Sequence, residues 1–84
     1  MMPLNFTDED MYIKVLTDGN TVVYGDLEMT DLSSNLLPRA RIQVYKKKLR
    51  SVENGKFVSR EYNKIHWNYV EAVRDFLRIK ELIS

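Results

Sequence analysis

The sequence predicts an α+β domain spanning residues 1–84: a four-stranded antiparallel sheet made of two β-hairpins, with one C-terminal helix packed on a face, in the order ββββα. Three observations predict it. Asp18-Gly19 and Asn54-Gly55 suit two-residue hairpin turns, whose central positions both need positive φ. Short stretches on either side alternate apolar and polar residues, as an antiparallel sheet with one buried side requires. From Lys64 to Ile83, apolar residues recur at three- and four-residue steps, the period of a helix with one covered side.

In chain order, the lead-in ends in Thr7-Asp8-Glu9-Asp10, acids suited to capping a short helical turn. They do not open a calcium loop. Counting from Asp8, the glycine and glutamate positions of an EF-hand hold Ile13 and Gly19. Met11 to Asp26 is expected to form the first hairpin, turning at Asp18-Gly19, with Val15 facing Val22 and Ile13 facing Tyr24. Leu27 to Pro38 reads as a link rich in turn residues, with Leu32, Leu36 and Leu37 tucked against the core and Pro38 ending it.

Ala40 to Tyr62 is expected to form the second, longer hairpin. Turning at Asn54-Gly55, it sets Glu53 opposite Lys56, Val52 opposite Phe57 and Lys48 opposite Glu61, two of them pairs of complementary charge. Strict alternation then fails, because Ile42 and Val44 fall on one face and Tyr45 and Leu49 on the other. A bulge within Lys46-Lys47-Lys48 reconciles them, since one extra residue resets the alternation. Asn63 is read as the helix N-cap. Ile65, Tyr69, Ala72, Val73, Phe76, Leu77, Ile79 and Ile83 form its apolar side. Glu71, Arg74, Asp75, Arg78 and Glu81 form its polar side, paired weakly at three-residue spacing.

Eighty-four residues bury a modest core, and there is no cysteine and one histidine to add a disulfide or a cysteine–histidine metal site. Homodimerisation is one way to supply the missing stability. The first residues carry neither the basic nor the apolar segment of a signal peptide, and no apolar run approaches the length of a membrane span. A cytoplasmic protein without membrane partners is expected. The net charge of +1 conceals an asymmetry. Residues 1–35 hold seven acids and one base, a sum of −6, and residues 36–84 hold twelve bases and five acids, a sum of +7. Such a split points to an anionic partner for the basic half, unless the two halves pair with each other.

Candidate chemistry is sparse. His66 stands alone, without a second ligand at metal spacing, and reads as a structural residue at the edge of the helix stripe. The serines lie in no nucleophile motif, and the glycines form no phosphate loop. No cofactor, no metal and no enzymatic activity are expected. Trp67 falls on the polar side of the expected helix. It either packs on the hairpin or stands exposed at a protein interface with Leu82.

The main candidate is the stretch Arg39 to Lys64, with nine bases against two acids. Arg41, Lys46, Lys47, Lys48, Arg50, Lys56 and Arg60 are expected to contact phosphates, and Tyr45 or Tyr62 to stack on bases. The bland account is an edge strand that uses lysines to block unwanted pairing. The alternative function is a protein-interaction module that docks on a basic host protein through Asp8, Glu9 and Asp10 or through Trp67.

Arg41-Ile42-Gln43-Val44-Tyr45 followed by Asn54-Gly55-Lys56 and a helix is similar to the arm-binding domains of tyrosine recombinases, which dock a three-stranded sheet in a DNA groove. The helix entry departs from their Gly-Phe-x-Thr-Lys pattern, so no binding residue is carried over. The ββββα order with an early Trp resembles, in architecture alone, the transcriptional-coactivator type of single-strand-binding domain, which dimerises. That family's basic-aromatic-glycine run is not matched by Arg60-Glu61-Tyr62-Asn63. The size and build also resemble small phage proteins that inhibit host defence or transcription proteins.

Overall fold

The computed structural model describes residues 8–34 and 39–84. The chain runs α1 (Asp8–Thr17), β1 (Val22–Tyr24), β2 (Leu27–Asp31), β3 (Ile42–Glu53), β4 (Lys56–His66) and α2 (Tyr69–Ile83). The strands form one antiparallel sheet in sequential order, and both helices pack on the same buried set of residues. The α+β class, the antiparallel sheet and the C-terminal helix on its face follow the sequence expectation.

The first hairpin does not. Residues expected to form its leading strand are α1 instead. Asp8, Glu9 and Asp10 occupy the first turn, where they complement the helix dipole. Gly19, with φ 87°, ends the helix rather than turning a hairpin. The Gly19 amide donates to the Leu16 carbonyl at 3.0 Å and the Asn20 amide to the Val15 carbonyl at 3.1 Å, which together make a Schellman cap. Val15 and Ile13 therefore do not face Val22 and Tyr24. The first hairpin lies further on. It turns at Gly25-Asp26 and pairs Tyr24 with Leu27 and Val22 with Met29. The expected link is thus largely β2, which buries Leu27 and Met29 and exposes Glu28 by alternation. Leu32 is exposed rather than tucked in. Leu36, Leu37 and Pro38 lie outside the described residues.

The second hairpin keeps its expected register near the turn, with Glu53 opposite Lys56 and Val52 opposite Phe57. Asn54 (φ 53°) and Gly55 (φ 77°) supply the two positive φ angles. The register shifts between Lys46 and Leu49, so Lys47 and Lys48 together face Glu61. This is the bulge the alternation demanded. It returns Leu49 to the core side, three positions after Lys46, which regular alternation forbids.

α2 starts later than expected. β4 continues through Asn63 to His66, and Asn68 is the N-cap, its side chain accepting from the Glu71 amide. Ala72, Val73, Phe76 and Ile79 fill the core with Leu16, Leu27, Met29, Ile42 and Val44. Tyr12 packs edge-on against Phe76, with ring centroids 5.6 Å apart. Asp75, expected on the polar side, is half-buried.

Lengths decide the shape. Fifteen helical residues span roughly 22 Å, whereas twelve strand residues span roughly 40 Å. The distal half of the β3–β4 hairpin therefore runs past the helices as a two-stranded arm. Both faces of its tip are exposed, and the molecule measures 44 × 35 × 18 Å.

Candidate nucleic-acid interface

The arm begins at the bulge. Lys46, just before it, still belongs to the core side: it is 8% exposed, and its Nζ lies 2.7 Å from Asp26 Oδ1. The hydrogen bond from Lys46 holds the Asp26 carboxyl below its ordinary pKa. Lys46 is thus a structural cation and is removed from the expected contact set. Past it, Lys47 and Lys48 are exposed on the bulge, and Lys56 is exposed beside the turn. Among the described residues, none of these three lysines has a carboxylate within ion-pair distance. Arg60 donates to Glu53 at 2.8 Å across the arm. The Arg50 guanidinium lies over the Phe57 ring at 4.0 Å.

Among the described residues, four acids of the first half bond elsewhere than to the exposed lysines of this arm. Asp26 takes Lys46. Glu9 receives Arg74 at 3.4 Å, Asp18 sits 3.3 Å from Lys14, and Asp31 accepts the Tyr69 hydroxyl at 2.6 Å. Burial raises the Asp31 pKa, but hydrogen bonds from Ser33 and Tyr69 outweigh it and bring the pKa below the ordinary value. These four acids are engaged by residues of the body and not by the lysines of the arm.

Tyr62 is also misplaced as a stacking residue. Its hydroxyl points at the helix side and donates to Asp75 Oδ2 at 2.6 Å. His66 Nε2 lies 2.9 Å from the same oxygen, and Arg78 donates to Oδ1 at 2.8 Å. Burial pushes the Asp75 carboxyl up, yet the three donors overcome it and hold the pKa below the usual carboxylate range. An ionised carboxylate only accepts, so His66 carries its proton on Nε2. Burial and Asp75 together push the Tyr62 hydroxyl up to about 12. The cluster is a joint that fastens β4 to α2 at the root of the arm. It explains His66 as a structural residue on a strand, not on the helix.

Tyr45 stays half-buried on the sheet face away from the helices. Arg41 is exposed but lies before β3, and its backbone engages Ser33 Oγ and the Leu32 amide. It is not brought to the arm. Trp67 is 47% exposed just past β4, with the Arg39 guanidinium over its ring at 4.4 Å. Leu82, on α2, is exposed as well. The residue the expected stacking set omitted is Phe57, which is 68% exposed and stands opposite Val52. Its signal was present in the hairpin register, which placed it beside the turn.

Among the described residues no pocket is enclosed, no three potential metal ligands converge and no helix is long and apolar enough to cross a membrane. Comparison with protein-family models, with curated proteins and with solved structures finds no match to this chain.

Proposed function

We propose that this chain is a nucleic-acid-binding protein whose contact element is the β3–β4 arm. One observation carries the reading. Lys47, Lys48 and Lys56 project on a ribbon beyond the core, with Arg50 beside them and, among the described residues, no carboxylate in ion-pair range, while Glu9, Asp18, Asp26 and Asp31 are engaged by residues of the body. Cations that form no ion pair with the chain's own carboxylates are placed to neutralise phosphates and to release their counterions.

The test is fluorescence anisotropy with labelled single-stranded DNA, duplex DNA and RNA across a salt series. Affinity should fall linearly with salt on logarithmic axes. Replacing Lys47, Lys48 and Lys56 with Ala should weaken binding and reduce that slope by roughly two, since each lost phosphate contact removes about 0.7–0.9. An unchanged slope, or no binding even at low salt, overturns the proposal. The second result would turn attention to a protein partner, for which the exposed Val52–Phe57 pair offers an apolar anchor.

A further inference from the structure

Among the described residues both helices pack on one side of the sheet and leave the other open, and the residues of that open side follow from alternation. On β4, Tyr62 and His66 reach α2, so Phe57, Glu61 and Ile65 take the opposite face. On β3, Ile42, Val44 and Lys46 are buried, so Gln43 and Tyr45 take the opposite face, and Gln43 bonds Asn63 there at 2.9 Å. Beyond the bulge, Arg50 joins this row through its contact with Phe57. Register places Trp67 at the row's other end, one residue past the strand. The row is thus bounded by two arginine–aromatic stacks, Arg50 on Phe57 and Arg39 on Trp67.

We propose that this open row seats single-stranded nucleic acid, with bases stacking on Phe57, Tyr45 and Trp67 and phosphates held by Lys47, Lys48 and Arg50. The inference rests on the nucleic-acid reading and narrows it to one polymer and one face. Three features select the single strand. A duplex hides its base faces, so exposed aromatic rings would have nothing to stack on; an unpaired strand offers a π-face at every base. The guanidinium over each bounding ring places a fixed cation beside the surface on which a base would lie, so stacking and charge attraction act together. In the middle of the row the bulge sets two lysines against the carboxylate of Glu61; Glu28 stands beside Tyr45 on β2, so the excess of positive charge lies on the arm side, where Arg50 joins the two lysines. Phe57 and Trp67 are separated by roughly 30 Å of strand, which matches about nine stacked nucleotides at 3.4 Å each.

Trp67 is the chain's one tryptophan, so its intrinsic fluorescence reports on this row alone. The experiment titrates the full chain with a twelve-nucleotide oligothymidylate and, separately, with a twelve-base-pair duplex in the same buffer. The expected result is quenching by the single strand. In the Phe57→Leu variant, which keeps apolar bulk and removes the ring, the dissociation constant for the single strand should rise roughly ten-fold. Duplex binding should be indifferent to that variant. Equal affinity for the duplex, no quenching and no effect of Phe57→Leu would overturn the row while leaving the nucleic-acid reading standing. The arm would then sit in a duplex groove, since a major groove admits a two-stranded ribbon. Failure of both polymers to bind at low salt would overturn both.

Discussion

Phe76 and Phe57 stand for the two ends of this molecule. Phe76 is 1% exposed among residues from both helices and the sheet, whereas Phe57 is 68% exposed on a ribbon with no layer of described residues against it. At the first end, two helices and four strands bury one shared set of side chains. At the second, backbone hydrogen bonds and a few cross-strand pairs are all that hold the strands. A two-stranded hairpin is marginal by itself in water. The arm is ordered because its strands continue inward, where they are pinned by the core and by the Asp75 joint. Stability is thus made at one end, and the surface to which the proposed function assigns recognition is carried by the other.

The sharpest way to break this comparison is to change the same residue type in both places. Phe76→Ala should cost about 3–5 kcal/mol, enough to unfold most of a domain this small. Phe57→Ala should change stability by no more than about 0.5 kcal/mol. Urea denaturation of both variants measures the two figures. Comparable losses would mean that the arm packs on something and is not a projection.

The joint between the ends comes next. Asp75→Asn removes the charge that Tyr62, His66 and Arg78 all address, and should destabilise by roughly 2–3 kcal/mol. Its pH signature follows from the direction of the shift. The native pKa of Asp75 is depressed, so its contribution is present above the ordinary carboxylate pKa and is lost as pH falls through the native value. Tyr62 acts at the other limit. Its pKa rises from 10.0 to about 12, so its contribution is complete below pH 10 and is lost as pH rises towards 12. Tyr62→Phe should therefore weaken the fold at neutral pH and flatten its stability profile in that alkaline window. Denaturation midpoints between pH 9 and pH 12 test this; a profile unchanged from the parent would remove Tyr62 from the joint.

The two ends also differed in how plainly the sequence announced them. The arm hairpin was legible because Asn54-Gly55 has one structural use in its context, and because the alternation around Lys46-Lys47-Lys48 fails in a way that only a bulge repairs. The body was harder. Asp18-Gly19 fits a hairpin turn and a helix C-cap equally well, and Met11-Tyr12-Ile13 before it is rich in strand formers, so local pattern chose the wrong partner. The better clue was the pairing of three acids at one end of the segment with a glycine at the other. Asn63 and Asn68 posed the same ambiguity for α2. Asn68 wins because β4 must continue to His66 to bring that ring to Asp75, a tertiary reason that no local pattern contains. In the candidate site, burial of Lys46 depended on Asp26, twenty residues away, and so was invisible to charge counting. Gly19→Ala probes the cap directly. A Cβ there meets no atom within 4 Å, so the cost is that of positive φ alone, about 1 kcal/mol in thermal or urea denaturation. A neutral result would deny Gly19 its role in ending α1.

The smallest expected effect is the one that separates charge used for folding from charge used for binding. Lys47 and Lys48 are adjacent on the bulge, and across the arm they face one carboxylate, that of Glu61. Repulsion between such exposed neighbours is weak and screened by salt. Replacing Lys47, Lys48 and Lys56 with Ala should therefore leave stability within about 0.5 kcal/mol, with any change being a slight gain that is largest at low salt. Lys46→Ala should behave in the opposite way, because it strips Asp26 of a part-buried partner and should destabilise at every salt concentration. Thermal melting of both variants at two ionic strengths decides the matter. A clear loss of stability in the triple variant would assign those lysines to the fold, and the charge on the arm would no longer need a ligand to account for it.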